Sequence, residues 1–512
     1  MYSAIAVRIA TVLGLAAVLP ASTRAQQMAP LPPDCDIRGP RTITVARHRG
    51  NQPASLAFLP LNVGAGAGPY SFLSEAFPDA IARRIGSAVP RIYVPGRRAI
   101  RRRSPASAAE ARALTRQLGV GYLLDGSVTG SSKETRVSLT LYDGFSGKDV
   151  WRRTFIYDSS GVLPLEQAAS IEIARRIAGS LTAAEGDRLR RVPTAHHAAY
   201  EWAVRGDAST DDPARASDAY RRAVGYDRSF AEGYARLALA DATQLENGGE
   251  TRENVLALQK ELPAAAARAI ALDQSSALAW LAEARARTMS GGPRPGWGEA
   301  FERAIALDGT DPLVLREYGR ALAQAGQEDR AMAILQRAAT VDPGRGELFL
   351  TLGELALNQH RDADACALLN QAIENDALLA PAWALRAEVR ARHDDLRYAW
   401  ADAETAARLG NTLLGESAAA MVDLTARDTT RALERLQDLW QEVKARGTVG
   451  VREGHALAVA LLAARERSRA LDVLEAVRPL GPWYAATLRD SSFDSVRNEP
   501  RFKRLALAQA GS

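Results

Sequence analysis

Six histidines, two cysteines and a glycine run are the residues here whose types permit metal, nucleophilic or phosphate chemistry. Their spacing argues against each. His48, His196, His197, His360, His393 and His455 form no HExxH-type ligand pair, and Cys35 and Cys366 stand too far apart in sequence for a zinc knuckle. His360-Arg361-Asp362 spells the kinase catalytic triplet, but Ala367 stands where that loop needs asparagine, and no DFG accompanies it. Gly64, Gly66 and Gly68 follow an apolar run and precede a helical pattern, as a phosphate loop does, yet no Gly-Lys-Ser/Thr or acidic partner completes a nucleotide motif. The pair His196-His197 precedes a helix and reads as surface or cap. The sequence thus predicts no catalytic centre, no metal and no cofactor.

The elements around these residues explain them better. Ala304, Ala338, Ala372 and Ala406 recur at steps of 34, with Ala269 and Ala223 before them at steps of 35 and 46. Eleven places after the markers stand Tyr234, Trp280, Leu315, Phe349 and Trp383, and fifteen places after them Ala238, Ala284, Gly319, Gly353 and Ala387. A large residue packs the first helix of each unit and a small one admits its neighbour. This half of the chain therefore resembles the tetratricopeptide repeat (TPR), whose helix pairs stack into a superhelix. Leu436, Ala470 and Leu474 extend the pattern in degenerate form, and the tail from Leu488 through Phe493 and Phe502 resembles a cap on the last repeat.

In such an array the first helix of each pair lines the concave wall. One residue after the packing position, and four beyond that, the pattern selects Arg285, Arg316, Arg320, Glu354 and Glu388, with Asn358 one turn past Glu354. Basic residues precede acidic ones along this wall, a polarity suited to a peptide of mixed charge; the same residues also serve as a solvated face.

Ahead of the array, strands at 56–63, 91–94, 121–128, 135–142 and 150–157 and helices at 72–88, 106–118 and 164–181 make a β-α-β-α-β-β-β-α unit, with hairpin turns at Gly130-Ser131-Ser132 and Asp143-Gly144. The stretches Leu118-Gly119-Val120-Gly121-Tyr122-Leu123-Leu124-Asp125-Gly126-Ser127-Val128 and Leu141-Tyr142-Asp143 through Gly147 to Val150-Trp151 resemble the TolB amino-terminal-domain-like family over roughly 130 residues, with Asp125 in place of the usual Glu and Gly144 in place of Ala. That resemblance implies a domain which in bacteria often joins a cytoplasmic signalling module to a TPR array. A signal peptide takes that module's place here.

Arg8, the apolar run Ile9–Leu19 and Thr23-Arg24-Ala25 read as that export signal, too short to span a bilayer. No later stretch is long and apolar enough to do so. Cys35 lacks the small apolar context of a lipidation site. An oxidising compartment permits a Cys35–Cys366 bridge, which requires the lead-in to fold back on the array. Only five lysines occur among 65 basic residues, so arginine carries a net charge of +5. Acidic residues are interspersed throughout, and no nucleic-acid module appears; the cluster Arg97, Arg98, Arg101, Arg102 and Arg103 reads as a solvated turn.

The expected architecture is multidomain: signal peptide 1–25, flexible linker 26–53, a small α/β domain with a mixed sheet at 54–185, an all-α TPR superhelical solenoid at 195–480 and a capping tail at 481–512. The expected function is non-enzymatic, a periplasmic scaffold that binds a protein or peptide of the cell envelope. The alternative is an envelope sensor whose α/β domain takes a small ligand or glycan. The sequence leaves the oligomeric state open.

Overall fold

The computed structural model describes residues 33–37, 52–64, 70–94, 105, 107–131, 134–157, 161–209, 212–247, 252–289, 296–309, 311–477, 488 and 491–510. The export signal, most of the linker, Gly66, Gly68 and the arginine cluster at 97–103 lie outside the described residues.

The α/β part contains β1 (Gln52–Phe58), β2 (Asn62–Val63), α1 (Leu73–Ala88), α2 (Ala108–Leu118), β3 (Val120–Ser131), β4 (Glu134–Asp143), β5 (Asp149–Tyr157), α3 (Val162–Ala178) and α4 (Ala183–Leu189). The sheet runs β1-β3-β4-β5, with β2 also beside β3. β1 and β2 pair parallel to β3, whereas β3, β4 and β5 form an antiparallel meander. Alternation along β1 feeds two faces: Leu56 and Phe58 enter the large core beneath α1 and α3, while Ala57 joins Leu59, Leu114 and Leu123 beneath α2. The single strand expected at 56–63 is interrupted at Pro60, which has no N–H to donate; beyond it the Leu61 amide turns to the Ser74 carbonyl at 2.8 Å. The strand expected at 91–94 is reduced to one bridge, Ser55 with Tyr93.

Eight helix pairs follow among the described residues: α5 (His197–Asp207) and α6 (Pro213–Tyr226), α7 (Ala231–Asn247) and α8 (Arg252–Leu272), α9 (Ala277–Met289) and α10 (Trp297–Leu307), α11 (Pro312–Gln324) and α12 (Glu328–Val341), α13 (Gly346–Asn358) and α14 (Asp362–Asn375), α15 (Ala380–Arg392) and α16 (Leu396–Arg408), α17 (Thr412–Thr425) and α18 (Thr429–Arg446), and α19 (Val451–Ala463) and α20 (Arg467–Ala476). All six marker alanines lie in second helices of pairs and are fully buried. Phe349 and Trp383 are buried as well, while Tyr234 and Trp280 are half-buried. A Cβ on Gly319 would stand 2.5 Å from Leu335 Cγ, and one on Gly353 3.1 Å from Leu369, so these glycines set how closely the two helices of a pair approach. Pro381 sits in the first turn of α15, where its missing N–H costs nothing. At the far end α21 (Pro500–Ala510) brings Phe502 against Phe493, and Arg501 pairs with Asp472 and Glu475 of α20.

The α/β part is docked on the array. One core runs from Leu56 through the sheet and α5–α8 to Met289. Arg84 bonds Glu166 at 2.6 Å and reaches the Leu189 and Arg191 carbonyls, and Arg83 pairs with Asp207 of α5. Further along, Cys35 and Cys366 are joined in a disulfide with Cα atoms 5.7 Å apart, so the lead-in does fold back, and neither cysteine is free.

Candidate functional site

The first helices of the pairs, together with α1 and the 90–94 segment of the α/β part, enclose a cavity of about 2660 Å³. Arg285, Arg316, Arg320, Glu354, Asn358 and Glu388 all line it. The helical register therefore brings every residue selected from the sequence to one wall, although 103 positions separate Arg285 from Glu388.

The arginines do not stand bare on that wall. Arg285 is 6% exposed and bonds Glu246 of α7 at 2.7 Å, with Glu317 of α11 at 3.4 Å. Arg320 lies 3.2 Å from Glu317 and 3.6 Å from Glu246; Arg316 lies 3.0 Å from Glu317 and 3.3 Å from Glu347 of α13. Burial alone would push the Glu317 carboxyl upward, but Arg320, Arg285 and Arg316 around it prevail and hold it well below the usual carboxylate range. Glu246 is lowered in the same way, burial being outweighed by Arg285 and Arg320. The network ties four successive first helices, α7, α9, α11 and α13, along the concave wall. Each of these carboxylates faces more than one arginine, so removing one arginine weakens the network without leaving a buried charge wholly unpaired.

Glu246, Glu317 and Glu347 are the residues that the repeat pattern alone does not pick out. Glu317 did leave a signal, since it lies within one helical turn of both Arg316 and Arg320. At the acidic end Glu354 receives Arg452 of α19 at 2.8 Å, a strut between helices 98 positions apart in sequence. Among the described lining residues, seven arginines face six carboxylates from Phe58 through Arg285, and five face nine from Leu307 onward. The wall thus passes from near neutrality to a carboxylate excess.

The other motifs resolve into turns. His360 closes the α13–α14 turn, and Asp362 accepts from Arg392 of α15 and from His393 just past its end. His196 is the N-cap residue of α5. Among the described residues no group of histidines, cysteines and carboxylates has the arrangement of a metal site, and no helix is long and apolar enough to cross a membrane.

No family model matches the sequence, and no curated protein matches it. Among solved structures, Pseudomonas aeruginosa PilF is 20% identical over 42% of this chain and 93% of its own, with a TM-score of 0.35. YrrB, described as a TPR protein with an unusual peptide-binding site, is 19% identical over 39% of this chain and 96% of its own, with a TM-score of 0.28. Yeast Tom70 is 12% identical over 85% of this chain and 84% of its own, with a TM-score of 0.36.

Proposed function

We propose that this chain is a non-enzymatic interaction scaffold of an oxidising compartment, the periplasm or cell envelope, and that it holds an extended peptide or partner protein of mixed charge in the groove. The observation that carries this reading is the groove's charge gradient. A partner's basic stretch would lie over the carboxylates from Leu307 onward, its neutral or acidic stretch over the earlier half. Arg452 on Glu354 is an internal instance of the contact that such a stretch would make. The buried disulfide supports the choice of compartment, because structural cystines persist outside the reducing cytosol.

Charge reversal at Arg316 or Arg320 is a poor test, since it would set a new carboxylate against Glu317 and loosen the array itself. A photo-crosslinking residue at Asn358, inside the groove, compared with one at Tyr226, which is 58% exposed and outside it, separates binding from folding. The reading expects one protein or peptide to be captured from the envelope fraction at Asn358 and not at Tyr226, with capture weakened by Glu388→Lys. Equal capture at both positions, or none at Asn358, would overturn it.

A further inference from the structure

The face of the array away from the groove carries a second constellation, built from three helices. Asn370 on α14 is buried and meets the backbone of Cys35 from both sides: the Cys35 N–H donates to Asn370 Oδ1 at 3.0 Å, and Asn370 Nδ2 donates to the Cys35 carbonyl at 2.8 Å. The amide is oriented from behind. Arg386 of α15 donates to the same Oδ1 at 2.9 Å, and because a guanidinium only donates, the oxygen must face it and the NH₂ must face outward. Arg386 is in turn held by Asp402 of α16 through two bonds of 2.8 Å and lies over the Trp383 ring at 4.7 Å. Asn370, Arg386, Asp402 and Cys366 are absent from the groove lining, and all four are buried. Beside them Ile37 packs on the core of the array, and a cavity of about 370 Å³ opens between Asp36 and Arg390.

We propose that Asn370, Arg386 and Cys366 form a slot for one extended backbone strand, that residues 35–37 of this chain are its resident occupant, and that the Cys35–Cys366 bond decides whether the resident stays. A side-chain amide that gives and takes one hydrogen bond with a single residue reads backbone, not side chain, as a neighbouring strand does. Ordering three residues is opposed by conformational entropy, which the Asn370 pair and Ile37 offset in part, and the covalent bond, joining positions 331 apart in sequence, is the contact that retains them. When a dithiol reductant such as dithiothreitol breaks that bond, Cys35 and Cys366 each leave as a thiol with one proton and one electron gained, and the reductant closes into its own disulfide. The slot then remains oriented by Arg386 and Asp402 while its occupant departs.

Hydrogen exchange followed by mass spectrometry on the full chain tests this. The oxidised protein should protect the fragment spanning residues 33–37. Dithiothreitol should speed exchange there at least tenfold while α11–α13 change less than twofold. Asn370→Ala, with the disulfide verified intact by thiol alkylation, should also speed exchange at Cys35, because its amide has lost its acceptor. Unchanged protection of 33–37 on reduction, absence of protection in the oxidised protein, or an Asn370→Ala variant indistinguishable from wild type would each overturn the proposal. Loss of protection throughout the array on reduction would also overturn it, by making the bond a general staple. None of these outcomes bears on whether the groove binds a partner.

Discussion

Asp241 of α7 shows how one side chain makes this array sensitive to pH. It is fully buried; Ser217 of α6 donates to one carboxylate oxygen, and the other has no hydrogen-bond partner among the described residues. Arg221 stands 4.0 Å away, and Asp218 and Glu261 add negative charge nearby. Burial, only partly offset by the Ser217 bond and Arg221, pushes its pKa up to about 6. A raised carboxyl pKa means that the folded state holds the proton more tightly than the unfolded chain. The penalty is therefore absent at pH values below the unfolded pKa near 4, grows as pH rises, and is complete above about 6, where it amounts to about 2–3 kcal/mol. Asp241→Asn cannot ionise, so its stability relative to wild type should rise by about that amount between pH 4 and pH 7.5, as read from urea midpoints at the two values. A pH-independent difference would place the proton elsewhere. Nothing in the sequence marks Asp241, because its properties come from burial and from residues on two other helices. The groove residues, by contrast, were legible because they follow the repeat's own arithmetic; their carboxylate partners were missed because Glu246, Glu317 and Glu347 do not share one register position.

Between the two helices of a pair the chain must stop one helix and reverse within a few residues, and five turns do so alike. Gly326, His360, Asp394, Arg427 and Arg465 all have φ between 55° and 74°. In the first, the Gly326 N–H bonds the Ala323 carbonyl and the Gln327 N–H bonds the Leu322 carbonyl; His360 with Arg361, and Asp394 with Asp395, repeat the arrangement. This is the Schellman closure, whose left-handed residue favours glycine. Gly326, His360 and Asp394 are 34 apart, so the feature keeps the period of the fold although only one of the three residues announces it. His360 is exposed, so little packing is lost with its side chain. His360→Gly should therefore stabilise the array by about 1 kcal/mol through relief of left-handed strain, and Gly326→Val should destabilise it by at least as much. Thermal melts of both variants check the pair of signs; a destabilised His360→Gly would mean that its side chain, not its backbone, is what the turn needs. At this scale the sequence located helices well, since burial at intervals of three and four leaves a long pattern. It overextended the first strand across Pro60 and lengthened the 91–94 bridge into a strand, because four or five apolar residues do not reveal where ladder bonds end.

Stacking of neighbouring pairs alone would let the array curve freely, since each pair in a solenoid touches only the next. Among the described residues several contacts join parts that are far apart in sequence, three of them reaching into the array beyond α9: Arg452 with Glu354, Cys35 with Cys366, and Tyr93 with the turn between α12 and α13. Tyr93 carries the link between the α/β part and the middle of the array. Its backbone is fixed beside β1, the Tyr93 N–H donating to the Ala54 carbonyl at 2.9 Å and the Tyr93 carbonyl accepting from Leu56 at 2.9 Å. Its buried hydroxyl lies beside the turn that carries Asp342, Gly344 and Arg345, and burial together with the Asp342 charge raises its pKa strongly. Because the large core holds the α/β part on α5–α8 independently, removing this ring should leave both bodies folded and release only the span across the groove. Spin labels at Ser87 and Thr340, both exposed, place one probe on each side of that span. Tyr93→Ala should broaden the distance distribution and shift it outward, with no more than a small change in melting temperature. An unchanged distribution would assign the curvature to pair-to-pair packing and to the two remaining contacts, and the groove would then be a property of the repeats alone. A shift would make its width depend on the α/β part, which has no counterpart in the 34-residue pattern and gives this array a wall that stacking cannot supply.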